Sequence, residues 1–305
     1  MGRVLEDEGI KTTEEDGRLR NLWNSFKRFE SDEKSDMRVV AEVNGQEFEL
    51  TSDDEGYVEL DVSSTIASVS TEEQWLPVSL TLFLTEGPVF KVTSRCCLPS
   101  NQAEYGVISD VDDTILHTGV SSKFKWRLIV NSIAVGSSAR KALAGASMFY
   151  KQLKAGNNPA ASNPIFYVSN SPWNLHEYLQ AFLKHKDFPS GPLLLRDFGR
   201  KEKKTKHPFL EGAKYLHIKS IMETYPELPF VLMGDAAELD TDIYLHVHKT
   251  IPGRVKAIFI REVGQEKKAK RIRQLLNENK GAPLYLVKSM EEASQIAQNL
   301  GLFSL

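Results

Sequence analysis

Three aspartates fall within four residues, at Asp110, Asp112 and Asp113, and Thr114 follows. They come directly after Val107-Ile108-Ser109, whose apolar pair reads as a short buried strand. Bunched carboxylates repel and raise one another's pKa, and Asp is disfavoured in strands. A hard divalent cation would remove the repulsion, and oxygen ligands suit Mg²⁺. The chemistry open to this spacing is attack on phosphorus by Asp110 at the strand end, giving an aspartyl-phosphate. Asp112, two residues on, is then the general acid for the leaving oxygen and the general base for water. Taken alone, the same stretch also reads as an acidic turn with solvated side chains.

Such a site needs partners on other strand ends, and the chain supplies candidates. From residue 102 onward strand and helix patterns alternate, which predicts an α/β domain: a Rossmann-like, mostly parallel sheet with helices on both faces. Strands are expected at 107–108, 165–168, 193–195, 230–233, 257–260 and 284–287, with helices near 139–155, 172–186, 213–225 and 266–279. Ligands of open α/β sheets sit beyond the carboxyl ends of the strands. There the second strand delivers Ser169 and Asn170, with Ser169 placed for a phosphate oxygen. Pro172 is expected to open a helix capped by Asn170 or Ser171, which would offer free N–H groups to an anion. The third strand delivers Arg196, for phosphate contact or an ion pair with Asp197. The fourth delivers Gly234 and then Asp235, a second metal ligand, with Asp240 about one helical turn later. Lys214 begins the helix feeding that strand and so lies near the same edge; Lys219 should point elsewhere.

Upstream, the period changes to two. Strands are expected at 38–43, 47–51, 56–62, 78–84 and 89–93, with Asn44-Gly45 as a type I′ hairpin turn. The expected division is a polar, partly helical segment over 1–35, a small β-sandwich over 36–101 and the α/β domain over 102–305. The helix of the first segment is placed at 19–29. The sandwich shows no catalytic constellation and reads as a structural or docking domain in preference to a sugar- or lipid-binding site.

Composition narrows the function further. Hydrophobic residues at 41% suffice for a packed core, and a net charge of −3 gives no global field that would draw the chain to nucleic acid or to anionic membrane. The two cysteines, Cys96 and Cys97, are adjacent, which favours free thiols and a reducing, cytoplasmic setting. The mixed basic and apolar stretch 123–130 and the basic loop 200–206 read as solvated faces or as peripheral contacts with a membrane surface.

Taken together, Asp110/Asp112/Thr114, Ser169, Lys214 and Asp235/Asp240 resemble, in order, the haloacid dehalogenase superfamily of phosphatases. More narrowly, residues 108–114, 167–175, 194–199, 230–235 and 252–255 are similar to the catalytic domain of the actin-patch phosphatidate phosphatase family, over about 104–261. The preceding sandwich is similar to that family's usual N-terminal partner. The resemblance implies Mg²⁺-dependent removal of phosphate from phosphatidate. It implies Asp110, Asp235 and the Asp112 carbonyl as metal ligands, and Asp110, Asp112, Ser169 and Lys214 as catalytic groups. Thr114, Asn170 and Arg196 would line the phosphate, and Asp240 would orient Lys214 or a bound water. Two departures stand out: Ala236-Ala237 where the family often has Ser-Gly, and Ala213 where it often has His. Two other readings remain open, a phosphatase of soluble small phosphates and a binding module with a weakened catalytic domain.

Overall fold

The computed structural model describes residues 2–4, 34–61, 70–84, 89–111, 143–196, 212–236, 239–262, 264 and 266–304. The described residues of its first part form only strands and their connections. Strand β1 (Gly2–Arg3) is followed by β2 (Arg38–Val43), β3 (Gln46–Thr51), β4 (Tyr57–Val58), β5 (Gln74–Phe83) and β6 (Phe90–Leu98). Four of them form an antiparallel sheet in the order β3-β2-β5-β6, and β1 pairs with β4 as a separate ribbon. The β2–β3 turn carries φ of 52° at Asn44 and 78° at Gly45, the two positive values a type I′ hairpin demands. A Cβ on Gly2 would stand 3.3 Å from Val58 and 3.9 Å from Leu80 of β5, so the ribbon lies over the sheet. Val39, Ala41, Val43, Tyr57 and Val58 are buried there as a small core.

The second part is a parallel sheet. Strands β7 (Gly106–Asp110), β8 (Ile165–Pro172), β9 (Leu193–Arg196), β10 (Phe230–Asp235), β11 (Val255–Arg261) and β12 (Leu284–Val287) pair in the order β12-β11-β10-β7-β8-β9. Among the described residues, six helices connect or follow them: α1 (Ala146–Ala155), α2 (His176–His185), α3 (Ala213–Thr224), α4 (Asp240–Thr250), α5 (Glu266–Glu278) and α6 (Met290–Asn299). Alternate side chains of the central strands enter opposite layers. Val107, Tyr167, Val231 and Phe259 pack with α1, α2 and α6. Ile108, Phe166, Leu232 and Ile258 pack with α3, α4 and α5. Burial on both faces explains why these strands read as unbroken apolar runs. Among the described residues no helix is long and apolar enough to cross a membrane.

Arg254 locks the far end of α3 to the sheet. Its guanidinium donates to the carbonyls of Met222, Tyr225 and Leu228 and lies 5.9 Å from the Phe230 ring centre. The last turn of a helix leaves such carbonyls without helical partners.

Several local expectations differ from what forms. The strand expected over 56–62 is only Tyr57–Val58, because it pairs with the two-residue β1 and not with the main sheet. Helix α2 starts at His176, not Pro172, because β8 stays extended through Pro172 and pairs there with Arg196 of β9. A single 3₁₀ turn, Trp173–Leu175, then links the two, with no side-chain cap at its start. Helices α4 and α6 were not expected. Ser289 and Glu292 form an S-x-x-E capping signal before α6: the Ser289 hydroxyl accepts from the Glu292 amide, and the Glu292 carboxylate accepts from the Lys288 amide. The stretches 19–29, 123–130 and 200–206 lie outside the described residues.

Candidate active site

Strands β7 and β10 are neighbours, and the chain reaches the second only after running outward through β8 and β9. That reversal makes their carboxyl ends the switch-point crevice of an open α/β sheet. Asp110 ends β7 and Asp235 ends β10, and neither has any solvent exposure. Beneath them the Ser109 hydroxyl donates to the Asp110 carbonyl at 2.7 Å and contacts the Tyr150 hydroxyl at 2.5 Å. Burial raises the Tyr150 pKa, so the phenol stays neutral and can donate to the Ser109 hydroxyl.

Two helix starts complete the cluster. On α3 the buried residues are Lys214, Ile218, Ile221 and Met222, so Lys214 occupies a core position on an apolar stripe. Its side chain is 2% exposed, and its Nζ donates to Asp110 Oδ1 at 2.8 Å and Asp240 Oδ1 at 2.6 Å. Asp240 opens α4, and its other oxygen accepts from the Asp235 amide at 3.2 Å. Lys219, one and a half turns after Lys214, is exposed and pairs with Glu223 instead.

Gly234 permits this closeness. A Cβ there would lie 2.7 Å from Asp240 Oδ2, 2.8 Å from Asp240 Cβ and 2.9 Å from the Tyr244 ring. Tyr244, held neutral chiefly by burial and then by the nearby Asp240 charge, donates to the Met233 carbonyl and pins α4 to β10. Gly234→Ala is expected to shift the first turn of α4 and draw Asp240 off Lys214. Any turnover at this site should fall while thermal stability drops only by the overpacking cost, about 1–3 kcal/mol. Melting curves and turnover measured on the same preparation check this.

The carboxyl oxygens of Asp110, Asp235 and Asp240 can all lie within 4.8 Å of one another. Among the described residues, three buried carboxylates gather around the Lys214 ammonium. That donor set fits a hard divalent cation with oxygen ligands, as Mg²⁺ requires. Asp240, read from the sequence as a support for Lys214, does contact Lys214 and also stands within reach of that ion position.

The other expected residues fall along the same edge. Ser169 lies at the carboxyl end of β8, fully buried, with its Oγ accepting from the Ser171 amide at 2.8 Å. This bond replaces the helix cap expected of Ser171 and holds the strand extended. Asn170 and Arg196 are half-buried on β8 and β9. Asp112 and Thr114 lie outside the described residues. Trp173, just past the end of β8, stacks on His176 at 5.1 Å and meets Tyr57 of the N-terminal ribbon edge-on at 6.2 Å. Lys154 of α1 also reaches both oxygens of Glu73, just before β5. The two parts of the chain therefore meet at Tyr57–Trp173, just past the carboxyl end of β8, and at Glu73–Lys154, on the side of the sheet where β7 and β8 begin.

The sequence profile described as "Phosphatidate phosphatase APP1, catalytic domain" matches residues 105–262, just over half of the chain. The chain belongs to this family. Its matched region runs from β7 through β11 and thus contains every strand end that carries a site residue. The phosphatidate phosphatase APP1 of Saccharomyces cerevisiae is 28% identical over 199 residues, 63% of this chain and 32% of that protein. An uncharacterized protein of Schizosaccharomyces pombe is 25% identical over 248 residues, 80% of this chain and 38% of its own length. The chain therefore spans about a third of the length of the curated relatives it matches. Membership in the APP1 catalytic family agrees with the haloacid dehalogenase-like order of site residues. Of its two departures, Ala236 is buried in the core layer beneath α3 to α5, and Ala213 is the first residue of α3.

Proposed function

We propose that this chain is a Mg²⁺-dependent phosphomonoesterase that hydrolyses phosphatidate to diacylglycerol and phosphate, acting in the cytoplasm at a membrane surface. The observation that carries the reading is the convergence of Asp110, Asp235, Asp240 and Lys214 on one buried crevice at the switch point. Asp110, Asp235 and the Asp112 carbonyl would hold the ion, which when bound offsets phosphoryl charge and the repulsion among the carboxylates.

The residues themselves account for both half-reactions. Asp110 attacks phosphorus in line, forming the aspartyl-phosphate as the P–O bond to the glycerol oxygen breaks. Asp112 gives its proton to that leaving oxygen, then takes one from the water that attacks the same phosphorus. The second step returns Asp110 as carboxylate and releases inorganic phosphate. Lys214, held by Asp240, offsets charge on the phosphoryl oxygens without needing to reorient. Ser169, Asn170, Thr114 and Arg196 are assigned to the remaining phosphate oxygens. The assignment to a cytoplasmic compartment rests on the unpaired thiols of Cys96 and Cys97.

The test is phosphate release from vesicles containing phosphatidate, run beside a panel of water-soluble phosphate esters. Release from phosphatidate should depend on Mg²⁺, vanish with EDTA and return on adding Mg²⁺ back. Hydrolysis confined to the soluble panel would replace phosphatidate by a small phosphate ester, and inactivity on both would end the enzymatic reading.

A further inference from the structure

Strand β6 is the outer strand of the N-terminal sheet, and its first six residues, Phe90 to Arg95, are all exposed. Val89, just before β6, and Phe90 and Val92 on it are 54%, 49% and 61% exposed, three large apolar residues within four positions of a strand that is outermost among the described residues. Phe90 pairs with Leu82 and Val92 with Leu80, which in turn pair with the buried Val39 and Ala41. Directly paired residues share a face of the sheet, so the face that forms the sandwich core continues outward and emerges at β6. Lys91 and Arg95 lie on the other face, and Arg95 stacks over Trp75 at 5.3 Å. Neither β5 nor β6 carries a carboxylate.

We propose that this edge docks the protein on an anionic bilayer, with Val89, Phe90 and Val92 entering the interfacial layer and Lys91 and Arg95 meeting headgroups. Apolar residues interleaved with cations, and no anions, are what such a surface binds. A partner strand is disfavoured by the same residues, because lysine on an edge discourages strand addition. Antiparallel self-pairing centred on Thr93 would also set Lys91 against Arg95, like charges directly opposed. The inference rests on the lipid-phosphate reading above, since a substrate that stays in a bilayer must be reached from its surface. The ribbon packed on this sheet touches Trp173 through Tyr57, which links the docked sheet to the part of the chain that carries the crevice.

Co-sedimentation of the full chain with vesicles tests this directly. The wild type should sediment with phosphatidylcholine vesicles containing phosphatidate or phosphatidylserine. It should do so far less with phosphatidylcholine alone, and the anionic binding should weaken with salt. Phe90→Ser with Val92→Ser, and separately Lys91→Glu with Arg95→Glu, should each lower anionic-vesicle binding by at least about tenfold. Hydrolysis of a water-soluble phosphate ester should be unchanged in both variants, whereas hydrolysis of vesicle phosphatidate should fall with binding. The charge pair leaves the apolar face intact, so it decides the matter if the serine pair does not fold. Wild-type binding retained by the folded variants, or no binding by the wild type, overturns the proposal. So does a wild-type dimer that the serine pair dissociates, which would make this edge a strand-pairing interface. Failure of the catalytic reading has a different signature, vesicle binding with no hydrolysis of any phosphate ester.

Discussion

Asp110→Asn should abolish phosphate release, lowering turnover by at least about 10⁴-fold, the scale seen when a nucleophile is removed from a preformed site. The amide keeps the size of the carboxylate, and its oxygen can still accept from Lys214, now 2.8 Å from Asp110 Oδ1. The variant also removes one of three mutually repelling buried carboxylates, so it should fold at least as well as the parent. Loss of activity would then report lost chemistry and not lost structure. Rapid acid quench with a phosphorus-labelled substrate should trap phosphate on the parent protein and none on the variant. Turnover by a folded Asp110→Asn protein would remove the aspartyl-phosphate mechanism.

Lys214→Met is expected to be nearly as severe, by two routes that can be separated. Methionine fills a similar volume but offers no charge to Asp110, Asp240 or the transferring phosphoryl group. Loss of one preorganised electrostatic contact costs about 10²–10³-fold in turnover. Stability should also fall, because removing one partner of a buried ion pair leaves uncompensated charge and costs about 3–5 kcal/mol. Here two carboxylates lose the same ammonium, and a third, Asp235, stands beside them. A divalent ion would offset part of that excess, so Mg²⁺ should raise the melting temperature of Lys214→Met more than that of the parent. Equal Mg²⁺ responses in the two proteins would show that the ion does not share the Lys214 cluster. Lys219→Met, on the solvent side of the same helix, should change neither turnover nor stability appreciably.

The contrast between these two lysines shows where sequence reasoning reaches its limit. Both lie on one helix, and a charged residue on a helix is ordinarily solvated. The clue to Lys214 was its spacing to Ile218, Ile221 and Met222, which places an ammonium in the slot of a core residue. A similar clue preceded α6, in the Ser289–Glu292 capping pair. For α4 there was little to find. Its residues Asp240 to Thr250 are rich in β-branched and aromatic types, and packing of Ile243, Tyr244 and Val247 on the sheet makes them helical.

What the chain announces by itself is local. Doubly buried strands declare themselves as apolar runs, and the carboxylates at 110 and 235 stand where those runs stop. Alternation of strands and helices implies the open sheet, and a sheet of that kind places its chemistry at the carboxyl ends. Tertiary structure decided what depends on approach between distant segments. It carried β8 through Pro172, because an extended neighbour at Arg196 and the Ser169–Ser171 bond outweigh proline's preference for a helix start. It brought Asp240 onto Lys214 and beside Asp235, which only the missing side chain of Gly234 allows. It also left β6 at the sheet edge with its apolar face open. The physical reason is one of range: periodicity and strand ends are set by a residue's immediate neighbours, whereas contact across a crevice is set by the packing of whole layers.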